Sequence, residues 1–108
     1  MANYSITIDN SALEDMEGIY RYFSRRLSLP AIAAKTVKNI EDEIRNNLSF
    51  MPYYAFVDDA RLAGRGYRRM VVKKYLIFFV IDEEKGIVRV RRIIHGARDW
   101  QRILSEEQ

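Results

Sequence analysis

Cysteine is missing from this 108-residue chain, and histidine occurs once, at His95. Without thiols there can be no disulfide framework and no thiol chemistry, and one imidazole leaves too few soft ligands for a structural zinc site. Long apolar runs are missing too: the longest, such as residues 75–81, fall far short of the roughly 20 residues a bilayer-spanning helix needs. Residues 1–4 carry neither the basic region nor the apolar stretch of a secretory signal. The expectation is a cytoplasmic protein with no membrane partner. Also absent are a Gly-rich phosphate loop, a Ser/His/Asp constellation and any carboxylate cluster spaced for a metal. No cofactor and no metal are expected.

What is present is the composition of a folded domain, 48% hydrophobic, 31% charged and 12% aromatic. Its length suits one domain over residues 1–108. The net charge of +3 conceals a division. Residues 1–60 hold 6 Lys and Arg against 9 Asp and Glu, net −3, whereas residues 61–102 hold 12 against 4, net +8. Basic charge gathered in one segment is the electrostatic footprint of a phosphate-rich or acidic partner. A solvated sheet face would look similar.

Residues 3–8 alternate, with Tyr4, Ile6 and Ile8 on one side, and read as a half-buried strand. Ser11 and Glu14 have the spacing of a capping box, so a helix begins there. Leu13, Met16, Tyr20, Phe23 and Leu27, widened by Ile19, form its apolar stripe. Pro30 suits the first turn of a second helix, whose stripe is Ala33, Val37, Ile40, Ile44 and Leu48 and which Pro52 stops. Two helices joined so closely form an antiparallel hairpin. Residues 53–66 read as a loop with about one turn of structure.

The rest predicts sheet. Residues 67–72 form one strand, residues 75–81 are apolar on both faces and therefore central, and residues 87–94 form a third beyond the turn at 82–86. Residues 96–104 form a loop or short helix, with Trp100 and Leu104 packing back. The fold class is α+β in the order β-α-α-β-β-β, an antiparallel sheet with the helix hairpin on one face and the other face open.

Strict alternation in the last strand sends Arg89, Arg91, Ile93 and His95 to one face. Arg68 and Arg69 enter an earlier strand, Lys73 and Lys74 precede the central one, and Arg98 lies three residues beyond His95. Cations around one imidazole suit metal-free RNA cleavage, in which arginines stabilise the phosphorane and His95 moves a proton. The same cations could bind phosphate without cutting, and His95 could simply cap the strand end. The candidate catalytic set is Arg69, Arg91, His95 and Arg98, and the candidate nucleic-acid contacts are Arg68, Lys73, Lys74 and Arg89.

Four strings then stand in a familiar order: Asp-Met-Glu-Gly-Ile-Tyr-Arg-Tyr-Phe at 15–23, Gly-Tyr-Arg-Arg at 66–69, Lys-Tyr-Leu-Ile-Phe-Phe-Val-Ile-Asp at 74–82 and Arg-Val-Arg-Arg-Ile-Ile-His-Gly-Ala-Arg-Asp at 89–99. Together they resemble the RelE/ParE superfamily of type II toxin–antitoxin toxins over nearly the whole chain. The resemblance implies the β-α-α-β-β-β fold, a growth-arresting bacterial toxin and a cognate antitoxin. The charge division predicts that the antitoxin's binding segment is acidic and amphipathic, its carboxylates meeting some of Arg68, Arg69, Arg91 and Arg98.

RelE-type members cut messenger RNA on the ribosome with basic residues of the sheet, and Arg69, Arg91, Arg98 and His95 resemble parts of their set. Leu76 follows Tyr75 where those members carry a basic residue, and the tail offers Trp100 but no tyrosine. ParE-type members share the long helix hairpin and the Gly-Tyr-Arg-Arg entry, and poison DNA gyrase by binding. The Arg/His face favours ribosome-dependent RNA cleavage, with gyrase poisoning as the alternative.

Overall fold

In the computed structural model, which describes residues 3–107, strand β1 (Ser5–Ile8) leads directly into helix α1 (Asn10–Arg21). A π-helical turn, Tyr22–Arg26, extends α1, and helix α2 (Pro30–Glu43) returns alongside it with Pro30 in its first turn before ending in a second π-helical turn, Ile44–Leu48. The short helix α3 (Ala60–Gly64) starts at Asp59, whose carboxylate accepts from the Leu62 amide. Strands β2 (Arg68–Val72), β3 (Tyr75–Asp82) and β4 (Ile87–His95) follow, then helix α4 (Trp100–Ser105), capped in the same way by Asp99.

The sheet order is β1-β4-β3-β2, and β2, β3 and β4 form the expected antiparallel meander. β1 differs: it pairs parallel to β4, from Ser5 opposite Ile87 to Ile8 opposite Val90, so the sheet is mixed rather than wholly antiparallel. The parallel direction lets the chain run on from β1 along the edge of β4 as α1. The Asp9 amide donates to the Val90 carbonyl, and farther on the Asp15 carboxylate accepts from the Ile93 amide at 2.8 Å. A helix side chain thus satisfies a donor on the part of β4 that β1 is too short to reach.

The start of α1 departs from the capping-box expectation. Asp9 is the N-cap, yet its carboxylate makes no cap hydrogen bond because two arginines of β4 occupy it, and Ser11 and Glu14 do not form the reciprocal pair. The helix is also rolled from the expected stripe. Ala12, Met16 and Ile19 face the sheet, while Leu13, Tyr20 and Leu27 are each more than 40% exposed. A small Ala12 at the contact lets the helix lie close to β4.

Two cores sandwich the sheet. Ile77, Phe79, Val88, Val90 and Ile93 pack beneath α1 and α2, where Ile40, Ile44 and Leu48 of the second stripe meet them as expected. On the other side Leu76, Phe78 and Ile94 pack with Val57, Leu62, Tyr67 and Leu104. Trp100 stacks on Phe78 at 5.2 Å between ring centroids, so the tail does fold back. The face expected to be open is therefore covered by α3 and α4 where Leu76 and Phe78 of β3 and Ile94 of β4 lie. A strand apolar on both sides needs cover on both. Among the described residues no helix is long and apolar enough to cross a membrane.

Candidate functional site

The site is shaped by one irregularity. Tyr75 to Phe78 pair with His95 to Arg92 in strict succession, but Phe79 pairs with Val90, leaving Arg91 as an extra residue in β4. Such a bulge reverses the alternation beyond it. Val88, Val90 and Ile93 consequently all point into the core beneath the helices, and His95 follows Ile93 to that side, against the expectation that it shares a face with Arg89 and Arg91.

Arg89 and Arg91 face away from the helices, where Asp9 holds both. Arg89 Nε donates to Asp9 Oδ1 at 2.8 Å, and Arg91 Nε lies 2.8 Å from Asp9 Oδ2 as an ion pair. The hydrogen bond to Asp9 pushes the Arg89 guanidinium above its usual pKa. Arg91 is 17% exposed and stands 5.7 Å from the centroid of Tyr67, a buried ring whose hydroxyl has no hydrogen-bond partner. One carboxylate thus offsets much of the positive charge that the sequence assigned to this face.

The two arginines at the start of β2 also separate. Arg68 donates to the Tyr54 carbonyl at 2.6 Å and covers the Phe56 ring at 3.9 Å. Arg69 lies on the other face, 5.7 Å from the centre of Trp100. Arg92 is tied from both sides, to Asp15 at 2.8 and 2.9 Å and to Glu107 at 3.4 Å.

The remaining candidates meet elsewhere. Between α1 with its π turn and the β2–β3 turn lies a groove of about 880 Å³, with Lys73, Lys74, His95 and Arg98 on its wall. Tyr75 and His95 contact edge to face inside it, with centroids 5.5 Å apart. Burial, with a smaller contribution from Tyr22, pushes the Tyr75 phenol above its ordinary value. The Ala97 amide donates to His95 Nδ1 at 3.1 Å, so the neutral ring carries its proton on Nε2 and presents a donor to the groove. Among the described residues no three His, Cys, Asp or Glu side chains are grouped to hold a metal ion.

A family model described as the ParE toxin of the type II toxin–antitoxin system parDE matches residues 6–100. The chain belongs to that family. The ParE-family fold recurs in the chromosomal ParDE system from P. aeruginosa, at 18% identity and a TM-score of 0.70 over 85% of this chain and 95% of that one. It recurs also in the toxin–antitoxin complex RelBE2 from Mycobacterium tuberculosis, at 20% identity and a TM-score of 0.59 over 87% of this chain and 99% of that one. No curated protein sequence matches.

Within this ParE-family toxin, sequence reasoning missed Asp9 and Asp15, the two acids that organise the arginines of β4, and the aromatic pair Tyr22 and Tyr75 in the groove. Asp9 and Asp15 lie about 80 residues from their partners, so no local spacing marks them. Tyr75 was legible only as strand, since the partner that makes it a wall is a helix turn far away in sequence.

Proposed function

We propose that this type II toxin arrests growth by binding DNA gyrase, without cutting RNA, and that a cognate antitoxin neutralises it. The observation that carries the reading is the bulge at Arg91: it sends His95 to one side of the sheet and Arg89 and Arg91 to the other, so the arginines of β4 do not converge with the imidazole on a single phosphate. Cleavage through the 2′-OH needs a proton acceptor and cationic stabilisation around one phosphorus. His95 Nδ1, moreover, is already an acceptor for the Ala97 amide. Leu76, at the position where RelE-type members carry a basic residue, is buried in the second core.

One arrangement favours the other reading. Lys73, Lys74, His95 and Arg98 share the groove, and RNA cleavage, if it occurs, runs there rather than through Arg69 or Arg91.

The deciding experiment is induced expression without antitoxin, followed by pulse labelling. DNA synthesis should fail first, with trapped double-strand breaks, and co-expression of the antitoxin should restore growth. Translation failing first, with primer extension revealing cuts inside translated codons, would replace gyrase poisoning with RNA cleavage. Normal growth with soluble toxin present would end both readings.

A further inference from the structure

We propose that Arg89, Arg91 and Tyr67, beside the first turn of α1, form a binding site for a phosphate group with three free oxygens, and that the Asp9 carboxylate holds its place in the free protein. The site lies on the sheet face away from the groove, and it goes beyond the gyrase reading without depending on it.

Unfilled donors come first. Arg91 is 17% exposed, yet among the described residues its guanidinium makes only the ion pair with Asp9 and no hydrogen bond. Arg89 donates through Nε alone. Tyr67 is 1% exposed and its hydroxyl has no partner. A largely buried guanidinium or phenol without a hydrogen bond is rare, because each has given up water and gained nothing in return. Here the two are neighbours, with Arg91 Cζ 5.7 Å from the Tyr67 ring centre.

Register explains why they meet. Arg68 pairs with Phe79, so Tyr67, one residue earlier, lies in the row of Val80; Val80 pairs with Arg89, and Arg89 with the exposed Thr7 of β1. The Tyr67 side chain is thereby directed along the row at Arg89. Asp9 first, through its hydrogen bond and its charge, and Tyr67 to a smaller degree push the Arg89 guanidinium above its usual pKa against the effect of burial, which sets the phenol oxygen within electrostatic reach. The bulge adds Arg91 to the same side. A third guanidinium, Arg65, also stands 5.7 Å from the Tyr67 ring centre.

Asp9 occupies this cluster at the expense of its own helix. It is the N-cap of the 12-residue α1, in the extended conformation from which an aspartate ordinarily accepts from first-turn amides, but its side chain accepts from none of them. The positive end of the helix therefore stays uncapped beside the arginines. A carboxylate has two oxygens, and Asp9 gives one to each arginine. A phosphate with three free oxygens can meet both guanidiniums and still reach the Tyr67 hydroxyl. Asp9, once released, needs only a side-chain rotation to cap α1, which offsets the contacts it leaves. A carboxylate from a protein partner would leave the same donors unfilled as Asp9 does, and a backbone phosphodiester has only two free oxygens.

The test titrates the full-length toxin with inorganic phosphate and with a nucleoside 5′-monophosphate, in buffer free of other oxyanions, and follows heat and the amide signals of Ser11 and Ala12. Asp9→Asn removes the competing charge and can still cap α1, so it should bind about tenfold tighter than wild type, whereas Arg89→Gln and Arg91→Gln should each bind about tenfold weaker, the worth of one charge-assisted hydrogen bond. Tyr67→Phe should bind about threefold weaker with a melting temperature no lower than wild type, since its hydroxyl has no partner to lose. Glu84→Gln, exposed in the β3–β4 turn, loses the same charge as Asp9→Asn and should behave as wild type. In the wild type, saturating phosphate should slow exchange of the Ser11 and Ala12 amides as Asp9 turns to cap them. Melting curves identify any variant that misfolds, and Tyr67→Phe and the more exposed Arg89→Gln decide should Arg91→Gln not fold. Either ligand binding in this pattern upholds the site, and the tighter of the two names its source, free phosphate or the terminal phosphate of a nucleotide. No saturable binding to Asp9→Asn, or an equal gain in Glu84→Gln, overturns the proposal while the toxin reading stands. Duplex DNA without terminal phosphates, binding more tightly than both small ligands and with the same dependence on Arg89 and Arg91, would replace the terminal phosphate with a nucleic-acid backbone.

Discussion

Asp15 and Arg92 form a two-pronged ion pair, 2.8 and 2.9 Å, in which the oxygen that meets Arg92 Nε also accepts from the Ile93 amide. Both side chains are largely buried, at 12% and 15% exposure. The pair fastens α1 to β4 immediately past the bulge, and so sets the direction from which His95 enters the groove.

Removing one partner of a buried pair leaves an uncompensated charge, and here an unpaired amide as well. Asp15→Ala should therefore lower stability by about 3–5 kcal/mol in urea unfolding. A loss under 1 kcal/mol would mean that water replaces the carboxylate at no cost.

Phe78 is fully buried between the sheet and α4, with Trp100 stacked on it. Phe78→Ala should cost about 3–5 kcal/mol. Phe23, which lines the groove and is only partly buried, should cost clearly less on the same substitution. Equal losses would indicate that the groove closes over Phe23 in solution.

Leu76→Arg would place the basic residue of RelE-type members after Tyr75. Leu76 is 8% exposed and packs with Phe78 and Leu104, so the variant buries an unpaired charge and should lose several kcal/mol, on the order of 3–5. It should gain no RNA cleavage. New cuts in messenger RNA from a stably folded variant would show that only this residue separates the chain from a nuclease.

Alkaline pH should weaken the fold through its tyrosines. Tyr75 is raised by burial and Tyr53 by its hydrogen bonds, first with Tyr4 and then with Glu83. A group whose folded pKa is raised contributes stability that is complete below the unfolded value, near 10, and is lost as pH climbs toward the folded one. Unfolding midpoints should thus fall as pH rises past about 10, and Tyr75→Phe should flatten the fall. An unchanged slope would place the loss elsewhere.

The sequence was most legible where a pattern is local. The α2 stripe, the two-sided strand β3 and the returning Trp100 and Leu104 were all readable, because each needs only its own spacing or composition. The roll of α1 was not: Ala12, Met16, Ile19 and Phe23 satisfy helical spacing as well as Leu13, Met16, Tyr20 and Phe23 do, and only the sheet decides between them. The bulge was hidden for a related reason. No glycine marks it, and although the Arg91-Arg92 doublet interrupts the alternation of valine and arginine, a strand without a bulge tolerates such a doublet by placing Arg92 on the apolar side, so only the pairing with β3 reveals that every later residue changes sides.

The parallel pairing of β1 with β4 bears on when the toxin becomes complete. Ser5 is made 82 residues before its partner Ile87, and contacts so distant in sequence are the slow ones to form. Until β4 emerges, β1 has no strand to join, Asp9 has no arginines to hold and the meander lacks its third member. A nascent chain therefore cannot present the finished groove. The groove is therefore a late product of synthesis, complete only once β4 is there for β1, Asp9 and the meander to join.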